Sequence, residues 1–158
     1  MGPDEGIVID QASRGRFALA LRRFASGRIT RSQLDTIVLE LEDSPDPGIA
    51  ALADEVYWAF LNYGPKRLVG RHSLTREGRR SVARIVLFLR SSEPYQWPSH
   101  PKWRFLKAMV RLITLGAFGR DPDWRTAGDS TVYPFISRDQ MARVTRSHPF
   151  TRRETSGT

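Results

Sequence analysis

The chain of 158 residues contains no cysteine and only three histidines. Without cysteine there is no disulfide, no thiolate metal site and no cysteine nucleophile. None of the histidines, His72, His100 and His148, has a second histidine or a carboxylate at a metal-binding spacing. We therefore expect neither a metal ion nor another cofactor.

Long apolar runs and catalytic motifs are also missing. The sequence contains no run of about 18 apolar residues, the length that a helix needs to cross a bilayer. Its N-terminal part also lacks the basic and apolar regions of a secretory signal. There is no Gly-x-Ser-x-Gly elbow and no phosphate-binding loop. We expect a cytoplasmic protein that is not an enzyme. A catalytic site assembled from distant residues, however, leaves no local motif of this kind.

Lysine is scarce while arginine is abundant. Of the 25 basic residues, 22 are arginine and three are lysine. Residues 1–62 carry six basic and ten acidic residues, a charge of −4, whereas residues 63–158 carry nineteen and seven, a charge of +12. Arginine favours bidentate contacts to carboxylate and phosphate. The segregated charge predicts an acidic protein partner, a nucleic acid or an anionic membrane surface.

Residues 73–98 predict a central helix with two unlike faces. Val82, Ile85, Val86 and Leu89 fall within one arc at about 100° per residue, so this face is expected to enter the core. The opposite arc includes Leu87 and five arginines, which we call the arginine ridge: Arg76, Arg79, Arg80, Arg84 and Arg90. The ridge has two interpretations. It is either a solvated face whose long stems shield apolar surface or a binding face for an acidic partner or another anion.

Capping signals mark helices on both sides of this segment. Gly27 is the expected end of a first helix over about 12–26. Thr30 and Gln33 predict a capping box at the start of the second helix, and Asp46 is the expected N-cap of a third helix over about 47–63. A second capping box, Ser137 with Gln140, predicts the start of the last helix. The preceding segment, 120–136, is irregular and rich in aromatics, with a short extended piece expected near Thr131–Phe135.

A further basic amphipathic helix is expected over about 101–115. Trp103 lies on its apolar side, and Arg104, Lys107 and Arg111 lie on the other. A basic amphipathic helix with a tryptophan at one end can lie on an anionic membrane. The alternative is an ordinary helix whose apolar side faces the core.

Together these elements predict a mainly α fold. We expect a single compact domain of five or six helices over residues 11–147, with the irregular aromatic-rich segment before the last helix. Residues 1–10 and 148–158 are expected to be flexible tails.

Two resemblances add to this interpretation. The helix, glycine and Ile-Thr-x-x-Gln-Leu pattern makes residues 15–41 similar to the hairpin of SHOCT-type modules, which would imply oligomerisation. The run Gly70-Arg71-His72-Ser73-Leu74-Thr75, the motif Tyr95-x-Trp97-Pro98 and the segment Val132-Tyr133-Pro134-Phe135 resemble a group of small uncharacterised bacterial proteins. That resemblance extends over most of residues 15–147. The group has no established activity, so it implies no catalytic residue.

Size, charge and the missing catalytic motifs favour binding over catalysis. The leading hypothesis is a small basic interaction protein that binds an acidic protein through the arginine ridge, with an immunity- or antitoxin-like role as one form. The first alternative is a nucleic-acid-binding protein. The second alternative is a protein attached to membranes through residues 101–118.

Overall fold

The computed structural model describes residues 7–98 and 127–147. Within these two ranges there are five α-helices and no strand: α1 (Gln11–Ala25), α2 (Arg31–Leu39), α3 (Pro47–Val56), α4 (Arg76–Arg90) and α5 (Arg138–Ser147). They form a single compact helical domain, which confirms the predicted mainly α fold. The helix predicted over 101–115 and the tail predicted over 148–158 lie outside the described residues.

The first four helices start at the side-chain caps that their sequences provide. In each case a side-chain oxygen of the N-cap accepts a bond from a backbone N–H of the first turn, an arrangement that contributes about 1 kcal/mol per helix. The N-caps are Asp10, Thr30, Asp46 and Thr75. Thr30 and Gln33 form both bonds of the predicted capping box. Gly27 follows α1 with a φ of +71°, the left-handed conformation expected at that position.

Asp10 is part of the folded domain, although it falls within the tail predicted over 1–10. Its carboxylate accepts bonds from the Ser13 N–H at 3.0 Å and the Ser44 hydroxyl at 3.2 Å. Its own N–H donates to Asp46 Oδ2 at 3.1 Å. The hydrogen bonds from Ser13 are the main reason that the pKa of Asp10 lies below its ordinary value of 3.8. The N-terminal boundary of the domain therefore lies at or before this residue.

The third helix continues past Val56 as a π-helical turn over Tyr57–Leu61. The Asn62 N–H donates to the carbonyl of Tyr57, five residues earlier, at 2.9 Å. Gly64 ends the turn by donating its N–H to the carbonyl of Phe60 at 3.1 Å. A Cβ at Gly64 would overlap that same carbonyl oxygen. The predicted helix over 47–63 is thus nearly right in extent, but its last part is π-helical.

The core lies mainly between α1 and α4, which pack against each other more extensively than any other described pair of helices. Each apolar side chain that is fully removed from water contributes about 1.5–3 kcal/mol. Val82, Ile85 and Leu89 are buried as predicted, and Val86 is only half-buried. Phe88, which was not among the four predicted core residues, is fully buried. The buried cluster includes Phe17, Leu21 and Phe24 of α1 and Val82, Ile85, Phe88 and Leu89 of α4.

A fully buried ion pair joins α1 to the start of α3. Arg14 lies on the apolar face of α1, and both it and Asp46 are completely inaccessible to solvent. Arg14 Nε donates to Asp46 Oδ2 at 2.6 Å, and Nη2 donates to Oδ1 at 3.0 Å. Asp46 Oδ1 also accepts the Gly48 N–H at 2.8 Å. A planar guanidinium suits such two-pronged contact with a carboxylate.

The remaining donors of Arg14 reach the end of α4. Nη1 donates to the carbonyl oxygens of Ser91 at 3.1 Å and Glu93 at 2.8 Å. The guanidinium carbon also lies 5.0 Å from the centre of the Phe88 ring, within the range of a cation–π contact. One side chain therefore connects the start of α1, the start of α3 and the end of α4.

The segment after α4 folds back onto the domain through its aromatic rings. Tyr95 and Trp97 are buried, and Trp97 Nε1 donates to the carbonyl of Phe135 at 3.2 Å. Phe135 in turn packs edge-on against Phe88, with ring centres 5.5 Å apart. The short extended piece expected near Thr131–Phe135 is wrong, since Ser130–Val132 forms a 3₁₀ turn.

Gln140 connects the last helix to the same region. The Gln140 N–H donates to Ser137 Oγ at 3.2 Å, as a capping box requires. Its side-chain oxygen, however, accepts from the N–H of Ile136 at 2.9 Å, one residue before the cap. Its side-chain amide donates to Glu93 Oε2 at 2.9 Å. The second predicted capping box is therefore only half formed, and Gln140 also holds α5 against the segment after α4.

Candidate protein-interaction groove

The arginine ridge of α4 combines exposed and half-buried side chains. Arg76, Arg79 and Arg80 are exposed, while Arg84 and Arg90 are half-buried. Over residues 7–98 and 127–147, the ion pairs within contact distance involve other arginines. None of the five ridge guanidinium groups is neutralised by a carboxylate in the described part of the chain.

Arg84 is held against its own helix. Its Nη2 donates to Ser81 Oγ at 3.1 Å. Its Nε is buried and has no hydrogen-bond partner among the described atoms. At about 100° per residue, Arg84 lies at one limit of the ridge, and Arg79 lies at the other. The ridge therefore has an Arg84 side and an Arg79 side, and the Arg79 side adjoins α1.

On the α1 side, α4 and the C-terminal end of α1 form an open groove of about 470 Å³. Arg79, Ala83, Val86, Leu87 and Arg90 lie within an arc of about 100° along α4. Leu87 falls among the arginines on this face of α4 because it is half-buried, packs against the edge of the core and also lines the groove. The described lining consists of Arg22, Ala25, Ser26, Arg79, Val82, Ala83, Val86, Leu87 and Arg90.

The charge of the described lining is entirely positive. Arg22 comes from α1, opposite Arg79 and Arg90 of α4, and no acidic residue is among the described residues that line the groove. Positive groups beside an apolar, low-dielectric surface focus their field into the cleft. Arg22 was not predicted as a site residue, since the sequence alone does not show which side of α4 faces α1.

The two walls of the groove are joined by the buried contacts of Arg14. Its bonds to the carbonyl oxygens of Ser91 and Glu93 connect α1 to the end of α4. Phe17 and Leu21 of α1 also belong to the same buried cluster as the apolar side chains of α4. The groove is therefore a preformed surface between two firmly packed helices.

The described lining offers apolar surface and guanidinium groups for binding. Its single hydroxyl, Ser26 Oγ, already donates to the carbonyl of Arg23 at 3.0 Å. Over the two described ranges, no group of three or more His, Asp or Glu side chains is placed to hold a metal ion. Guanidinium groups bind carboxylates or phosphates, and the aliphatic floor binds apolar side chains.

The membrane alternative depends on Trp103, Arg104, Lys107 and Arg111, which lie outside the described residues. Among the helices that the structure describes, none is both long enough and apolar enough to cross a membrane. The peripheral attachment predicted through 101–118 therefore stays a prediction.

No protein-family model, curated protein or solved structure matches this chain. The resemblance of residues 15–41 to SHOCT-type hairpins stays a prediction, as does the wider resemblance over 15–147.

Proposed function

We propose that this protein is an interaction module that binds an acidic protein partner through the surface formed by α4 and the end of α1. One observation carries the proposal. Arg22, Arg79 and Arg90 surround an apolar groove, and no carboxylate in the described part of the chain pairs with them. Charge-assisted hydrogen bonds from these groups are available to a partner.

The composition of the groove favours a protein partner over a nucleic acid. Surfaces that bind single strands combine positive charge with aromatic rings on which bases stack. The described lining has no aromatic side chain, and its floor is aliphatic, with Val82, Val86 and Leu87. An apolar centre with polar residues around it is typical of a protein–protein interface. An immunity- or antitoxin-like role would be one form of such binding.

Charge reversal tests the proposal against its alternatives. The variant Arg22→Glu/Arg79→Glu/Arg90→Glu changes the groove. The control Arg67→Glu/Arg71→Glu/Arg143→Glu alters net charge equally at exposed positions outside the groove lining. Both are assayed against a fluorescent polyglutamate peptide, a DNA duplex, single-stranded RNA and vesicles containing anionic lipid.

We expect the wild type to bind the acidic peptide, the groove variant to lose binding by about a hundredfold, and the control to lose about tenfold or less, since it changes only long-range attraction. Tighter binding to nucleic acid or to vesicles than to the peptide, weakened equally by both variants, would refute the proposal.

A further inference from the structure

The groove follows α4 for about three turns. Its ends on α4 are marked by Arg79 and Arg90, which are eleven residues apart and therefore separated by about 16 Å along the helix. Between these ends the described floor is apolar, with Val82, Ala83, Val86 and Leu87. The occupant is thus a short element that presents several apolar side chains in one row.

The walls of the groove restrict the backbone conformation of the occupant. Both walls are α-helices, whose N–H and C=O groups are bonded within the helix. Carbonyl oxygens in the last turn of α1 are also hydrogen-bonded, because they accept from the N–H groups of Ser26, Gly27 and Arg28. An extended segment would find no backbone partner along this floor, and unpaired backbone groups on apolar surface are costly. A helical segment forms its backbone hydrogen bonds internally, so it can bind the groove through its side chains alone.

Charge restricts the source of the occupant. The described lining carries three arginines and no acid. Residues 99–126 of this chain carry six basic and two acidic residues, a charge of +4, which does not complement those arginines. The complementary occupant is acidic, and charge complementarity of this kind is typical of a segment from another protein. Its carboxylates match Arg79 and Arg90 best when they are also eleven residues apart, since eleven residues complete about three helical turns and lie on one side.

We infer that the groove binds one amphipathic α-helix of an acidic partner, with apolar side chains against Ala83, Val86 and Leu87 and carboxylates beside Arg79 and Arg90. Arg22 lies on the opposite wall and contacts a carboxylate on the other flank of that helix. This inference rests on the proposed function, and it adds the conformation and the pattern of the segment that is bound.

Two synthetic peptides provide the probe. The first has about 14 residues, with leucines at helical spacing and glutamates eleven residues apart at the margins of the apolar stripe. The second has the same composition, with its leucines at alternate positions so that no helical stripe forms. Binding is measured by fluorescence anisotropy, and peptide helicity by circular dichroism.

Ala83→Trp fills the groove without changing its charge, and Ala142→Trp is the matched control. Both alanines are exposed, and Ala142 lies on α5 outside the described lining. We expect the amphipathic peptide to gain helicity on binding. It should bind the wild type about tenfold more tightly than the second peptide, whose leucines alternate. Ala83→Trp should weaken its binding about tenfold, and Ala142→Trp should leave it unchanged.

The outcomes separate this inference from the proposed function. If both peptides bind equally and Ala83→Trp has no effect, but charge reversal at Arg22, Arg79 and Arg90 still abolishes binding, the helix in the groove is wrong and the acidic partner stands. If neither peptide binds and the charge variants do not differ, both fail. A wild-type dimer that Ala83→Trp converts to a monomer would show a second copy in the groove and overturn the inference. Failure of the peptide to bind a monomeric wild type that does bind polyglutamate also counts against it.

Discussion

Replacing Arg14 by methionine tests whether the buried ion pair determines the stability of the domain. Methionine has a similar length and a fair helix propensity, so α1 itself should persist. The substitution removes the four hydrogen bonds that Arg14 makes to Asp46, Ser91 and Glu93. Asp46 is then left fully buried with its charge, supported by the N–H groups of Asp10 and Gly48.

The expected loss is large relative to the total. Removing one partner of a buried ion pair costs about 3–5 kcal/mol, because the other charge stays buried without compensation. A domain of this size is typically stable by about 5–15 kcal/mol. We expect Arg14→Met to lose about 3–5 kcal/mol, and Arg14→Lys to lose less because an ammonium retains the charge but not the two-pronged contact. Adding Asp46→Asn, which keeps a capping oxygen, should restore part of the loss.

Urea denaturation followed by tryptophan fluorescence measures these differences as midpoint shifts at constant slope. The matched control is Arg16→Met, the same substitution two residues later in α1. Arg16 pairs with Glu40 at the surface, where both side chains are more than half exposed, so the expected loss is about 0–1 kcal/mol. If Arg14→Met and Arg16→Met destabilise equally, or if Asp46→Asn adds its full cost to Arg14→Met, the buried pair is not coupled as described.

Three further perturbations test other parts of the fold. Gly64→Ala should lower the free energy of unfolding by about 3 kcal/mol or more, because the new Cβ overlaps the carbonyl oxygen of Phe60. A loss below about 1 kcal/mol in urea denaturation would contradict this geometry. Gln140→Leu should cost about 1–3 kcal/mol, since it leaves a backbone N–H and the Glu93 carboxylate without their partner. Recovery of full stability in Gln140→Glu, which cannot donate to Glu93, would be the opposite of what we expect. Folding lowers the pKa of Asp10 below 3.8, so the unfolded chain binds more protons at low pH. The stabilisation by this carboxylate is present above that value and is lost as the pH falls through the lower pKa of the folded state. Asp10→Asn should flatten this part of the pH dependence in denaturation curves measured from about pH 5 to about pH 2, and an unchanged profile would exclude the effect.

Local patterns in the sequence predicted most of the helix framework. The N-caps Thr30, Asp46 and Thr75 act through neighbouring residues, so their bonds can be inferred from spacing. The apolar arc of α4 is set by helical geometry in the same way, and three of its four predicted core residues are buried. The π-helical turn at Tyr57–Leu61 was not predicted, because its composition resembles that of an α-helix.

Contacts between distant residues were not accessible from the same patterns. Arg14 lies within the apolar arc of α1, which is a signal for a buried charge, but its partner is 32 residues away. The groove was missed for a similar reason. The sequence showed the arginine ridge, but it did not show that α1 packs beside Arg79 and Arg90 or that Arg22 completes the rim.

The contacts of Arg14 also have a consequence for biosynthesis. Its carboxylate partner is translated soon after it, whereas its two carbonyl acceptors are 77 and 79 positions further along. Until residue 93 of the nascent chain has emerged, the Arg14 guanidinium either stays hydrated or makes only its hydrogen bonds to Asp46. Contacts between residues this far apart in sequence slow folding. A fragment that contains the first four helices but ends before Ser91 is thus a poor autonomous unit. Expression of a fragment that stops before residue 91 should yield a protein that is readily cleaved by proteases.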